Sequence, residues 1–270
     1  ADTLGYEPVI LNGHIDIGYS HIQSANLHVQ GHRALLVQSP VFRLRADCNL
    51  KVIKDKVTPL QVTGDINITE ALYSAEFITT NRHTPEVDSQ FQLFSLPEAF
   101  LGGALLDINA SAKNSIIIHN GMMHARASGE LKIRGTGMVP EPSGDILIHE
   151  DSARLSLPFA TIWFRPSTIY FKASEPFDPS FSINGHTKMQ GYNLRILLEG
   201  KMSNFSVNGI DIVSNPPISP EEATRLITTG VPPRDIFDTG KDIDTSGLVI
   251  GWAIVETLRK VFGNGDPQRA

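Results

Sequence analysis

Apolar and polar residues alternate over unusually long stretches of this chain. In residues 41–52, every second position is apolar: Phe42, Leu44, Ala46, Cys48, Leu50 and Val52. Arginine, aspartate, asparagine and lysine fill the positions between them. A period of two is that of a β-strand with one buried face and one solvated face. A twelve-residue strand spans about 40 Å at roughly 3.3 Å per residue. The pattern therefore predicts a sheet of long strands, extending over most of residues 9–213.

A short phrase recurs three times along the chain. It reads GHIDI at residues 13–17, GDINITE at 64–70 and GDILIHE at 144–150. Each copy has a glycine, a polar residue and then apolar residues at every second position. Recurrence indicates an internal repeat, whose units stack and bury a shared apolar surface. Turns are predicted at the glycine and proline clusters of residues 140–144 and 176–179, and at Gly185.

Helices are predicted only near the end of the chain. Ser219 and Glu222 form a capping-box pattern, Pro220 occupies the first helical position, and Gly230 ends the helix. A second, amphipathic helix is predicted over residues 247–262.

This pattern divides the chain into four parts. Residues 1–213 form the repeat-built β-region, 214–230 the closing strand end and the capped helix, and 231–246 a linker before the terminal helix at 247–262. The sheet has one apolar face and few helices to cover it. It must close on itself, pack on a second sheet, or form a trough that holds something apolar.

Charge and cysteine content exclude several classes of protein. The net charge is −6, from 23 basic and 29 acidic residues, and no basic cluster in the sequence indicates nucleic-acid binding. Cys48 is the one cysteine, so an intrachain disulfide is excluded, as in cytosolic or disulfide-free periplasmic proteins. Because no apolar run reaches about 18 residues, no membrane-spanning helix is predicted.

The sequence contains none of the common catalytic motifs. The serine-hydrolase, zinc-protease, dinucleotide and phosphate-loop patterns are missing. Asp242, Asp244 and Ser246 resemble the start of a calcium loop, but Ala253 stands where the loop needs a bidentate glutamate. We therefore predict no catalytic residue, no metal site and no cofactor, and we expect that the protein is not an enzyme.

The apolar stripes allow two interpretations. They can form the filled core of a sandwich or adhesin-like structural protein, or they can line a groove for acyl chains. Exposing about fifteen methylenes to water costs on the order of 12 kcal/mol, which a continuous apolar trough largely removes. The common parity of successive strands predicts one concave lining face made of these residues: Phe42, Leu44, Val62, Ile66, Leu106, Ile108, Leu131, Ile133, Phe171, Leu194 and Ile196.

Several motifs arrive in an order that resembles a known family. They read GELKIRGT at residues 129–136, SGDILI at 143–148, STIYF at 167–171 and SNPPISPEEATRLITTG at 214–230. From about Leu106 to Gly230, the chain resembles the C-terminal domain of the TamB family, part of the translocation and assembly module. The most specific motif residues are Ser214, Pro216, Pro217, Ser219, Glu221, Glu222 and Gly230. Ser167 and Ile218 stand where the family usually has glycine and leucine.

The resemblance implies a fold and a function. It implies an all-β, antiparallel sheet curved into a U-shaped trough (a β-taco) with an apolar interior, plus two short C-terminal helices. It implies a periplasmic protein of a Gram-negative bacterium, anchored in the inner membrane by an N-terminal helix and working with an Omp85-class outer-membrane barrel. Such proteins are implicated in phospholipid transport and in outer-membrane protein assembly and secretion, without enzymatic activity. The structural, adhesin-like β-sandwich stays as the alternative.

Overall fold

The computed structural model describes residues 9–18, 22–74, 103–201, 203 and 210–232. Within these residues, thirteen strands form a single sheet. A 3-10 turn (Glu150–Ser152) lies between the seventh and eighth strands, and helix α1 (Pro220–Thr229) follows the last strand. The strands are β1 Ile10–Ile17, β2 Ile22–Gln38, β3 Phe42–Lys54, β4 Gln61–Tyr73, β5 Leu105–His119, β6 Met123–Gly135, β7 Pro140–Ile148, β8 Arg154–Ser156, β9 Thr161–Phe164, β10 Ser167–Lys172, β11 Glu175–Met189, β12 Tyr192–Lys201 and β13 Ile210–Asn215. The all-β fold that the alternation predicts is confirmed.

The sheet follows the chain with one detour. Strands β1 to β7 are neighbours in sequence order, and β10 to β13 continue from β7. Between β7 and β10, the chain forms the short hairpin β8–β9, in which β8 also pairs with β6 and β9 with β11. The hairpin therefore prolongs the β7–β10 pair beyond the 3-10 turn and makes this part of the sheet longer.

The expectation of a purely antiparallel sheet is wrong at one pair. Strands β4 and β5 are parallel, from Gln61 opposite Leu105 to Tyr73 opposite Ile118. The other pairs among the described strands are antiparallel. A tight hairpin can join only antiparallel strands, whereas a parallel pair needs a connection of a dozen or more residues. The segment between Tyr73 and Leu105 is long enough for that return, so the sheet is mixed.

Two of the predicted proline turns are also wrong, because both proline clusters lie inside strands. Pro140 and Pro142 belong to β7, but β10 pairs with β7 only from Gly144 onward, so this end of β7 has a free edge. Residues 176–179 of β11 fall in a break of the pairing with β10. Proline lacks the N–H that a ladder needs, and such edges and irregularities tolerate it. Gly185 likewise lies within β11 and pairs with Ile196 of β12.

The recurring phrase marks places where the strand accepts only glycine. Gly13, Gly64 and Gly144 have φ angles of 147°, 134° and 134°. A Cβ atom at these positions would lie 2.0, 2.2 and 2.1 Å from a carbonyl oxygen of the neighbouring strand. Only glycine combines this φ with so close an approach of two strands. The repeated phrase thus reflects a local backbone conformation that requires glycine.

The capped helix closes the described part of the chain. Ser219 Oγ accepts a hydrogen bond from the Glu222 backbone N–H, and Glu222 Oε2 accepts one from the Ser219 N–H. The pKa of Glu222 is lowered, chiefly by this backbone hydrogen bond. Gly230 has a φ of 71° and donates its N–H to the Leu226 carbonyl. The capping box and the glycine stop are confirmed. The predicted helix at 247–262 and all but the first two residues of the linker lie outside the described residues.

Replacing Ser219 with alanine should lower the free energy of unfolding by about 1 kcal/mol, because the hydroxyl acceptor of the cap is lost. Chemical denaturation measures the difference. Ser156→Ala serves as a control, since the exposed Ser156 hydroxyl has no hydrogen-bond partner in the described part of the chain. Equal stability of Ser219→Ala and Ser156→Ala would mean that α1 is not coupled to the unfolding of the sheet.

Candidate functional site: the apolar face of the sheet

Strand pairing determines which side chains share a face, because directly opposed residues point the same way. Val62 is opposite Leu106, and Ile108 is opposite Ile133. Further along, Gly144 is opposite both Leu131 and Phe171. Followed through every pair, the register places all eleven residues predicted to line a groove on one face of the sheet. That they bind lipid stays a prediction.

The eleven residues do not form one cluster. A large cluster of buried side chains, which extends from β3 to β13 and α1, takes in Phe42, Phe171, Leu194 and Ile196. Leu44 and Leu131 are half-buried and pack against it. A smaller cluster contains Val62, Leu106 and Ile108, with the half-buried Ile66 and Ile133 packed against it.

Helix α1 and the β8–β9 hairpin belong to the large cluster. Leu226 and Ile227 of α1 are fully buried, as are Ile162 and Phe164 of β9. These residues were not among those predicted for the site, although Leu155, Leu157, Ile162 and Phe164 show the same alternation as the longer strands. This part of the apolar face is filled by the chain itself.

The other part of the apolar face is less covered. Around the buried Val62 cluster, half-exposed apolar side chains continue the face across β3, β4 and β6; we call them the open section, and they are Leu50, Val52, Ile66 and Ile133. On β4–β7, every paired position of this face is aliphatic, aromatic, glycine or proline. The face offers van der Waals contact and no charge, so an apolar partner is the one it can accommodate.

Cys48 lies on the same face of β3 and is buried. Burial raises the pKa of its thiol above the usual value. A buried, protonated thiol behaves as a small apolar side chain, so Cys48 contributes to the apolar face.

The opposite face carries a ladder of polar side chains. Asn67 Nδ2 donates to Asp47 Oδ2 at 3.3 Å, and Asn109 Nδ2 donates to Asp65 Oδ1 at 2.9 Å. Lys132 Nζ lies 3.3 Å from Asp107 Oδ1. The pKa of Asp47 is lowered, chiefly by a hydrogen bond from a backbone N–H of β2. These contacts stabilise a solvated face, so the two faces of the sheet differ sharply in chemistry.

The segment from Ser214 to Gly230 has a structural role. Ser214 Oγ accepts a hydrogen bond from the Ile218 N–H at 2.8 Å and holds the turn between β13 and α1. Pro216 and Pro217 are exposed in that turn, and Glu221 is exposed in the first turn of the helix. No group of three or more His, Cys, Asp or Glu side chains in the described ranges could hold a metal ion.

The family comparison agrees with these features. The model of the TamB C-terminal domain matches residues 3–253. The chain belongs to the TamB family. Among curated proteins, none matches it. TamB is a non-enzymatic transport and assembly family, and membership implies a periplasmic, envelope-associated protein. In the part of the TamB chain that the structure describes, no helix is long and apolar enough to cross a membrane.

Proposed function

We propose that this TamB domain shields the acyl chains of phospholipids on the apolar face of its sheet and so supports their transport between the inner and outer membranes. The observation that carries this proposal is the uncharged face of β4–β7 with its open section of half-exposed side chains. Covering an acyl chain removes about 0.8 kcal/mol of unfavourable hydration per methylene.

In this proposal, the two parts of the apolar face have different tasks. The open section contacts the acyl chains, and Val62, Leu106 and Ile108 form the floor beneath them. The section that includes the β8–β9 hairpin and packs with α1 is filled by buried side chains and ends the groove. The four-part division of the chain that the sequence predicts places the groove within residues 1–213 and its closure at 214–230.

The family supports the partners of the proposal. TamB proteins are associated with membranes and with Omp85-class partners in general. We propose that an Omp85-class outer-membrane barrel receives this domain, and that the full-length protein is anchored in the inner membrane. Support of outer-membrane protein assembly belongs to the same proposal, because an apolar face with a polar back can also hold the apolar side of an unfolded strand.

Mass spectrometry of the purified domain tests this function. The domain is produced in a bacterial periplasm, purified without detergent and extracted with organic solvent. We expect phospholipid in the extract, in an amount comparable to the protein and resistant to washing. Domain that is pure, folded and free of lipid would contradict the proposal.

A second function, that of a structural module with a filled core, is favoured by one observation. Between β9 and β13, most side chains of the apolar face are buried in one cluster with α1, and Met189, Tyr192 and Ile210 are partly buried against it. If this filling extends along the whole sheet, the domain carries no lipid. The same mass spectrum decides between the two functions.

A further inference from the structure

A row of basic and aromatic residues crosses the polar face at one end of the sheet. Strand pairing places one residue from each of six strands directly opposite the next. We call it the basic row: His119, His124, Arg154, Trp163, His186 and Arg195. The Nδ1 atoms of His119 and His124 are 2.9 Å apart, and the Arg154 guanidinium lies 5.8 Å from the centre of the Trp163 ring. The row is thus a contiguous surface, built from residues distant in sequence.

Two further cations flank the row. Arg126 follows His124 by two positions on β6, and Lys188 follows His186 by two positions on β11, so both point to the same face. Arg126, Lys188 and Arg195 are exposed. The pKa of His124 is lowered, chiefly by burial and then by the neighbouring His119, Arg154 and Arg126.

These cations lack acidic partners in the described part of the chain. Other cations of the polar face do have acidic partners: Lys132 and Arg134 pair with Asp107, and Lys201 pairs with Glu175. Arg126, Arg154, Lys188 and Arg195 take part in no such ion pair among the described residues.

The nearest carboxylates in the pairing pattern do not neutralise the row. On β13, Asp211 is two residues from Val213, which is opposite Arg195, and Glu150 lies in the 3-10 turn before β8. Neither pairs with a cation of the row. In a chain of net charge −6, this is a concentrated positive surface, and its complement is an anionic partner.

Exposed apolar groups lie among the charges. Trp163 is 44% exposed, and Val213, the next position of the row on β13, is 52% exposed. Tyr170 of β10 is 46% exposed on the same face. Tryptophan and tyrosine concentrate at membrane–water interfaces, where one part of the ring is apolar and the other is wet. Cations beside exposed aromatic rings are typical of surfaces that bind anionic lipid headgroups. This composition favours a bilayer over an acidic protein.

We propose that the end of the polar face that carries the basic row docks on the surface of an anionic phospholipid bilayer. Arg126, Arg154, Lys188 and Arg195 contact the headgroup phosphates, and Trp163 lies at the level of the headgroups. The surface is on the face opposite the apolar groove. The proposal therefore stands independently of lipid transport along that groove.

Vesicle flotation of the full 270-residue chain tests the docking. We expect binding to vesicles of phosphatidylcholine with phosphatidylglycerol, no binding to phosphatidylcholine alone, and release at high salt. Arg154→Gln combined with Arg195→Gln should weaken binding about 25-fold, because each cation near an anionic surface contributes roughly fivefold. The matched control, Lys132→Gln with Arg134→Gln, removes the same charge from the same face at cations already paired with Asp107. It should change binding by less than about twofold.

Trp163 reports the docking directly. The chain has two tryptophans, Trp163 and Trp252, so Trp252→Phe leaves Trp163 as the single emitter. Its emission should shift to the blue on anionic vesicles. The proposal is overturned if neutral vesicles bind equally, if the double arginine variant binds like the wild type while its circular dichroism is native, or if the protein floats without a shift of Trp163. A shift of the same size with polyglutamate would overturn it in favour of an acidic protein.

Discussion

The Ile133→Arg variant is expected to fold and to lose essentially all co-purifying lipid. Ile133 belongs to the open section, where it is half-buried beside the Val62 cluster. An arginine there can extend its charged end to water along its apolar stem, which limits the loss of stability. The charge nevertheless lies in the path of the acyl chain, and burying it under lipid costs several kcal/mol. Leu131→Arg should act in the same way.

Asn109→Arg is the matched control for this variant. Asn109 is exposed on the polar face of β5, opposite Lys132 and next in sequence to Ile108 of the apolar face. The Asn109→Arg variant adds the same positive charge as Ile133→Arg, but on the polar face of the same part of the sheet. Lipid content measured by mass spectrometry should stay at the wild-type level in Asn109→Arg. A folded Ile133→Arg domain with a full complement of lipid would disprove the groove.

The Gly144→Ala variant is expected to lose about 3 kcal/mol of stability or more, and much of it to fail to fold. A φ of 134° lies in a region that is essentially confined to glycine. In addition, the new Cβ would lie 2.1 Å from the Glu130 carbonyl oxygen, and that oxygen belongs to backbone that cannot move aside cheaply. Thermal and chemical denaturation measure the loss, together with the yield of soluble protein.

Gly103→Ala provides the comparison. A Cβ atom at Gly103 meets nothing within 4 Å, and the φ of this residue does not lie in the glycine-favouring region. We expect its stability to stay within about 0.5 kcal/mol of the wild type. If Gly144→Ala were as stable as Gly103→Ala, the strand at Gly144 would have to relax, and the repeated phrase would have no structural reason at that position.

Local sequence patterns were sufficient to predict the strands and the first helix. In β3, the alternation from Phe42 to Val52 matches the two faces of the observed strand. The Ser219–Glu222 cap is equally local, since all its contacts lie within one turn. Both patterns depend on residues a few positions apart, and that is the distance over which the backbone dictates side-chain direction.

Features that depend on distant pairing were not predictable in this way. The parallel β4–β5 pair depends on the long connection between the two strands. The residues of the strands themselves do not indicate whether the pair is parallel or antiparallel. In the sequence, Pro140 and Pro142 indicate a turn. Only the strand pairing shows that they lie at an end of β7 that pairs with β6 alone, where proline is tolerated. The basic row joins residues from His119 to Arg195, so no cluster of cations is visible in the sequence. Only the register of six strands brings them together.

Site-specific photo-crosslinking tests most directly whether the apolar face binds lipid. A photoreactive amino acid replaces either Ile66, on the apolar face of β4, or its neighbour Asp65, on the polar face of the same strand. After irradiation in cells, mass spectrometry detects phospholipid attached to the protein. We expect phospholipid adducts at position 66 and none at position 65. Adducts of equal yield at both positions, or none at position 66 in folded protein, would contradict lipid binding on the apolar face.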